Sequence, residues 1–517
     1  MIDKSEWRWA ISWALVLALL VSLPYLIAWI ATPDGLVYTG FLSNPTDGHT
    51  YLAKMRQGLD GAWLVRLPYT AEPHRAEFLL TYYLFLGHVA RWTHLPLILV
   101  YHLARAINSV ALLIALYYAI SQFTDIFESR KTAFWLAALG SGFGWLAGLL
   151  GGLTADLWVP EGYVLYSMWV NPHFPLAIAL TLLLVAWSVT PWEARTPAWS
   201  QIVRLAAATA LLSIAQPFCL IPLGAALALY ALVRWVQDRQ LPWPLIVSGA
   251  AIGLTGLPFA VNAYLASTRN ATFAAWSAQN QTPSPPLWNL LLSYGPLLIL
   301  ALPGAWIASK RRRSSNVFLL IWTLSTFFLL YLPFNLQRRL MVGLSVPLGI
   351  LAAVGYEALA GKLRLPNKVH LPRLAVYAAI GLTQIFVIAI SLLSALGGHP
   401  ELYFTQDEWA ALRWIDAQTA PDALIVAAPQ SGLYIPAWTG RRVFYGHPFE
   451  TARADQRMAQ VLAFFQQGDR SLLQESPNYA FVGPRERALN PGWQPDPGWT
   501  VVFEQDTVTL YALGATP

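Results

Sequence analysis

Residues 9–30 read WAISWALVLALLVSLPYLIAWI, 22 residues without a charge, and the polar run Asn44-Pro45-Thr46-Asp47-Gly48-His49-Thr50-Tyr51 follows soon after. Crossing a hydrocarbon core of ~30 Å takes ~20 apolar residues in a helix. The run is too long for a signal-peptide core and lacks a convincing small-residue cleavage site, so it reads as a retained first span. Further runs at 317–332 and 374–396 repeat the pattern. The chain has 517 residues, 56% of them hydrophobic and only 12% charged, with a mean hydropathy of +0.46. Soluble domains carry about 25% charged residues. The fold class expected is therefore mainly α: a polytopic membrane protein. The single Cys219 excludes an intrachain disulfide framework and offers no thiol motif.

A net charge of +6 could suggest nucleic acid. The cations, however, are dispersed between apolar runs, which makes them topological signals. Lys4, Arg8, Arg130, Lys131, Arg195, Arg204, Arg234, Arg239, Lys310, Arg311, Arg312, Arg313, Lys362, Arg364, Lys368 and Arg373 all fall on one side if the N-terminus is cytoplasmic. About 11 transmembrane helices are expected, at 9–30, 100–123, 132–153, 172–189, 202–215, 218–235, 245–264, in the run returning to Lys310, and at 317–332, 340–359 and 374–396. An external loop, 31–96, follows the first span, and within it 78–92 is apolar but short and reads as an interfacial helix. An odd count leaves the C-terminus outside.

From residue 397 polar and charged residues return. Residues 1–396 are expected to form the membrane module and 397–517 an extracytoplasmic domain large enough for its own core. Residues 407–418 have helical apolar spacing. Residues 423–428 and 479–483 read as buried strands with a helix at 458–465 between them, and 500–504 with 507–513 as a terminal hairpin. This alternation predicts a small α/β domain. It contains no Gly-rich phosphate loop and no metal-spaced Cys/His set.

Asp47 is the first candidate for chemistry, as a carboxylate just beyond the first span that can act as a general base at the membrane surface. With a helix expected over 49–59, Asp47 would cap its N-terminus. Tyr51 and Lys54, four and seven residues on, share its face, and His49 joins them as a candidate substrate contact. Glu72 and His74, held between prolines, form a second group with Arg75. Asp156 and Glu161 are acids of the next external loop, and His173 opens the fourth span. Trp276 is an aromatic suited to stacking on a sugar or prenyl group. Arg338 and Arg339 stand on the external side, against the charge rule. A guanidinium beside the hydrocarbon calls for an anionic partner, and its planar fork suits phosphate.

At these residues the chain resembles the membrane glycosyltransferases of the C superfamily (GT-C), whose donor is a polyprenyl-phosphate or polyprenyl-diphosphate sugar. The resemblance covers the full length in architecture. It implies that Asp47 is the catalytic carboxylate and that Arg338 and Arg339 contact donor phosphate. On the reading of the residues themselves, Glu72 and Asp156 are further candidate catalytic acids, and His49, Tyr51, Lys54, His74, His173 and Trp276 are candidate substrate contacts. The segment 408–415, then Pro421-Asp422-Ala423 and Gly440-Arg441-Arg442, looks like the external domain of uncharacterised bacterial members. The second loop lacks the paired-acid pattern, which favours a metal-independent monosaccharide transferase over a metal-dependent oligosaccharyltransferase. No cofactor is implied, and a divalent metal is not favoured. The expected partners are a lipid-linked sugar donor, an acceptor of open identity and membrane lipids, with no nucleic acid, in a bacterial plasma membrane. A flippase for lipid-linked glycans and a non-catalytic scaffold are the competing readings. The flippase would call for functional charges or broken helices at mid-membrane.

Overall fold

The computed structural model describes residues 2–189, 198–311, 313–362 and 371–514. Of the expected cytoplasmic cations, Arg195, Arg312, Arg364 and Lys368 lie outside the described residues. The chain divides into two compact units. One comprises Met1–Pro24, His102–Ala260 and Thr282–Ser391, and the other Tyr25–Tyr101, Val261–Gln281 and Leu392–Pro517.

Each expected span falls on a helix: Lys4–Ile30, Leu97–Ile120, Phe127–Leu139 with Gly144–Leu149, His173–Val189, Trp199–Ala215, Leu220–Asp238, Trp243–Arg269, Gly295–Arg311, Ser314–Leu329, Ser345–Lys362 and Leu371–Leu396. Among the described residues, six helices are long and apolar enough to cross a membrane, or seven if Leu287–Ser293 and Gly295–Arg311, bent by 89°, form one span. His173–Val189, Trp199–Ala215 and Ser314–Leu329 are shorter apolar helices. In the first unit, helices Gly295–Arg311 and Ser345–Lys362 meet where a Cβ on Gly304 would lie 1.8 Å from the Leu351 carbonyl. Small residues of this kind let helix backbones touch in an apolar medium. Near the start of the first helix, Glu6 accepts from Tyr117 Oη at 2.6 Å and Arg130 Nη1 at 2.7 Å, a buried network of one acid, one phenol and one cation.

The second unit carries the sheets. Strands β1 (Leu36–Tyr38) and β2 (Tyr403–Thr405) pair antiparallel. Five more strands are β3 (Leu424–Val426), β4 (Arg442–Val443), β5 (Tyr479–Val482), β6 (Thr500–Gln505) and β7 (Val508–Ala512). They form one sheet in the order β4-β3-β5-β7-β6, parallel through β4, β3 and β5 and antiparallel beyond. Its core is Leu424, Val426, Phe444, Phe464, Phe465 and Val482. The expected α/β pattern thus forms, including the terminal hairpin, with helices Gln406–Gln418 and Ala454–Gln466 at the predicted places. Thr405 and Glu408 close a reciprocal capping box on the first of these. The expectation passed over helix Pro429–Thr439 and strand β4. Nor do residues 397–517 form their unit alone. The segment after the first helix joins it through the β1–β2 ladder, because the edge of each short strand is the other's hydrogen-bonding partner.

Candidate functional site

Asp47 lies in the first turn of helix Pro45–Leu59. The cap is Asn44, not Asp47 as expected, and the helix begins four residues earlier than the sequence suggested. Proline suits the first helical position because its missing N–H would be unpaired there anyway, and Asn44 tolerates the left-handed conformation (φ 48°) that starts the turn. The Asn44 side chain accepts from the Asp47 N–H at 3.3 Å and donates to Asp47 Oδ2 at 2.6 Å. The carboxylate is therefore held by a reciprocal cap at the positive end of the helix, and its side chain is 42% exposed.

The stripe expected from the helical period exists. Lys54, two turns after Asp47, donates to Glu450 Oε1 at 2.5 Å and to the Thr50 carbonyl at 3.3 Å. Tyr51 stacks on Tyr83 with ring centroids 4.2 Å apart. Sequence reasoning missed what this stripe faces, the loop Gly446-His447-Pro448-Phe449-Glu450-Thr451. His447 Nε2 stands 3.6 Å from Asp47 Oδ1. The loop is held internally by Thr451 Oγ1, which accepts from the Gly446 and His447 N–H groups, and externally by Gln279, whose amide donates to the Phe449 and Thr451 carbonyls. Its approach to helix Pro429–Thr439 requires glycine on both sides. A Cβ on Gly446 would lie 2.3 Å from the Gly432 carbonyl, and one on Gly432 would lie 2.1 Å from the Tyr445 carbonyl. Thr46, Glu401, Gln430, Leu433, Tyr434 and Tyr445 line a cavity of about 260 Å³ beside this turn and loop. Its walls mix hydroxyl, amide and carboxylate groups with apolar surface, as sites for small polar ligands do.

The other candidates have different surroundings. His49 does not face the site. Two residues from Asp47, it lies about 200° round the helix and is fully buried between Phe41 and Tyr434, with ring centroids 4.9 and 4.7 Å away. Its Nδ1–H donates to the Pro45 carbonyl at 2.7 Å. Glu72 accepts from Thr70, Arg453 and Arg457, and Arg457 also grips Glu475, so its carboxylate anchors a clamp of cations. His74 is a loop staple, accepting from the Leu67 N–H at 2.9 Å and donating to the Glu72 carbonyl at 2.8 Å. Trp276 packs on the cluster of Val65, Leu67, Leu84 and Phe273.

The remaining candidates belong to the first unit. Asp156 is fully buried and accepts from the Gly142 and Gly144 N–H groups and the Thr154 hydroxyl. It ties down the break after helix Phe127–Leu139, where the ladder leaves amide groups unpaired, and burial pushes its carboxyl up. That is an anchoring arrangement, as for Glu72. Glu161 is buried and its carbonyl accepts from the Gly343 N–H. His173 is buried at the start of its helix, against Phe174. Arg338 lies over the Trp158 ring at 4.5 Å and Arg339 over the Phe218 ring at 5.3 Å, both half-buried. The Nε of Arg338 has no hydrogen-bond partner among the described residues. Also among the described residues, no group of three or more His, Cys, Asp or Glu could hold a metal ion.

His49 and Glu72 give the second unit a pH signature. Burial drives the His49 ring down to about 3. Burial raises Glu72, but the Thr70 hydroxyl and the Arg457 and Arg453 guanidiniums outweigh it and hold the carboxyl at about 2. Both folded values are depressed, so the stability each contributes is complete above its ordinary value and lost as pH falls. For His49 the loss runs from 6.5 towards 3, and for Glu72 from 4.5 towards 2. The thermal midpoint is expected to hold steady above pH 6.5 and to drop below it. The variant His49→Phe should flatten the drop between pH 6.5 and 4.5. An equally steep drop in that variant would contradict this origin.

No family model matches the chain, and no curated protein matches it. Solved structures do. ArnT from Cupriavidus metallidurans, bound to undecaprenyl phosphate, matches over 98% of this chain and 98% of its own at 16% identity, with a TM-score of 0.54. The archaeal oligosaccharyltransferase AglB from Archaeoglobus fulgidus, in complex with an inhibitory peptide and a dolichol-phosphate, matches over 93% of this chain and 70% of its own at 14% identity, with a TM-score of 0.51. At such identities the likeness is one of fold. The chain shares the fold of these two structures, the GT-C fold that the sequence resemblance implied, and is an integral membrane protein.

Proposed function

We propose that this GT-C chain is a metal-independent, inverting hexosyl- or pentosyltransferase. It moves a sugar from a polyprenyl-phosphate or polyprenyl-diphosphate donor to a hydroxyl acceptor on the extracytoplasmic side of a bacterial plasma membrane, where residues 397–517 also lie. The observation that carries the reading is Asp47: a carboxylate fixed by Asn44, reached by solvent, and set beside a cavity of mixed polar and apolar lining in a unit whose other candidate acid, Glu72, is clamped by arginines.

In this reading Asp47 takes the proton of the acceptor hydroxyl as the hydroxyl oxygen attacks the anomeric carbon. The bond from that carbon to the phosphate oxygen breaks, and its electron pair leaves with the polyprenyl phosphate. Arg338 and Arg339 hold the donor phosphate. Fixed donors at a developing charge commonly supply a larger share of catalysis than the base, whose contribution is about 10² to 10⁴ in rate. The cavity beside Asp47 takes the hydroxylated end of the acceptor. Support comes from two structural neighbours whose bound lipids are undecaprenyl phosphate and dolichol-phosphate.

The test is reconstitution in lipid nanodiscs with undecaprenyl-phosphate-linked and undecaprenyl-diphosphate-linked hexoses and pentoses, radiolabelled in the sugar. Release of the lipid phosphate, with label passing to water or to an added glycan, is expected for at least one donor. Translocation of a lipid-linked sugar across a bilayer without cleavage would replace the transferase reading with the flippase one.

A further inference from the structure

We propose that His447, supplied by the carboxy-terminal part of the chain, is a positioning residue for Asp47: its Nε2–H fixes Oδ1 of the carboxylate. The proposal rests on the transferase reading of Asp47. Three observations carry it. The first is the tautomer. His447 Nδ1 accepts from the backbone N–H groups of Phe449 at 3.0 Å and Glu450 at 3.1 Å. A nitrogen that accepts two N–H groups carries no proton, so the neutral ring bears its proton on Nε2.

The second is what stands near that proton. The His447 side chain is 3% exposed, and Nε2 has no hydrogen-bond partner among the described residues. Its charged neighbour is Asp47 Oδ1 at 3.6 Å. This is too long for a formed hydrogen bond. The Asp47 side chain is half-exposed, and contacts of this kind often tighten only in the Michaelis complex. A buried, unanswered N–H this close to a carboxylate favours closing the gap.

The third is the mounting. Thr451 and Gln279 hold the loop, and the Lys54–Glu450 pair joins it to the same helix two turns beyond Asp47. The imidazole therefore cannot drift along the helix. Asn44 already donates to Oδ2, and once His447 closes on Oδ1 the two donors together define the plane of the carboxylate. The acceptor hydroxyl then meets lone pairs of fixed direction, which is what a general base needs to take a proton while the new glycosidic bond forms.

The experiment compares wild type, Asp47→Asn, His447→Ala and His447→Gln. One readout is release of undecaprenyl phosphate from whichever undecaprenyl-phosphate-linked sugar the wild type cleaves. Another is the nitrogen–proton correlation spectrum of ¹⁵N-histidine protein, in which the His447 ring is identified by its loss in His447→Gln. Gln places an amide N–H near the position of Nε2. The expected result is a fall in kcat of about 10–100-fold for His447→Ala, the range for losing a hydrogen bond to a charged group. The donor KM should stay unchanged, and His447→Gln should regain at least half of the logarithmic loss. The ring should show its proton on Nε2, and that resonance should shift in Asp47→Asn. Wild-type kcat in His447→Ala would overturn the proposal alone. So would no recovery in His447→Gln, or a ring protonated on Nδ1 whatever the variants' stability. Full release by Asp47→Asn would overturn the transferase role of Asp47 and this proposal with it.

Discussion

Asp47→Asn is expected to slow sugar release from an undecaprenyl-phosphate-linked donor by about 10² to 10⁴, the usual contribution of a positioned base. The amide has the shape of the carboxylate and can still face the Asn44 side chain, so the helix start should survive. What disappears is the ability to accept a proton as the acceptor oxygen bonds to carbon. The loss should appear in kcat with little change in donor KM, the pattern of an interaction made only in the transition state. Losing a negative charge at a helix N-terminus should cost roughly 0.3–1 kcal/mol, a small fall in the thermal midpoint. Asp47→Glu should retain more rate than the amide, because a displaced base is still a base. Equal rates for wild type and Asp47→Asn would remove Asp47 from the mechanism.

The second large effect falls on stability. Lys54→Met leaves the Glu450 carboxylate without its ammonium in a setting where the two side chains are 1% and 9% exposed. Breaking a buried pair on one side costs about 3–5 kcal/mol, whereas replacing both partners by apolar groups is often neutral. Lys54→Met should therefore lower the thermal midpoint strongly, and adding Glu450→Leu should restore most of it. If the double variant is as unstable as the single, the pair is not the source of the stability. Because Glu450 sits three residues after His447 in one loop, the single variant should also lose sugar release. In the double variant, stability should return further than activity if the ion pair sets the position of the loop.

Much of this architecture can be read from the sequence because its signals are local. Runs of about twenty apolar residues mark helices, and each expected run falls on one. The strands at 424–426 and 479–482 and the terminal hairpin also announce themselves through short apolar runs and a polar turn. The Asp47–Lys54 stripe follows from the helical period. The same period places His49 on the opposite face, and only the late helix start assumed from the sequence hid this. The loop facing the stripe was out of reach. Lys54 and Glu450 stand 396 residues apart, and Gly446-His447-Pro448 carries no periodic signal. The anchoring roles of Glu72 and Asp156 were hidden for a related reason. An acid in a polar loop looks alike whether it meets substrate, the arginines of a distant helix or two backbone amides.

The most direct measurement is a structure of the protein in nanodiscs with a non-cleavable phosphonate analogue of the undecaprenyl-linked sugar that it releases. Its decisive quantity is the distance from the anomeric carbon to the Asp47 carboxylate. An acceptor oxygen must fit between them, about 3–3.5 Å from the carbon and about 2.6–3.2 Å from the base. A separation of roughly 5–6 Å is expected, with the cavity lined by Thr46, Gln430 and Tyr434 opening onto the gap. An anomeric carbon bound more than about 10 Å from Asp47, beyond the reach of one shared hydroxyl, would contradict it.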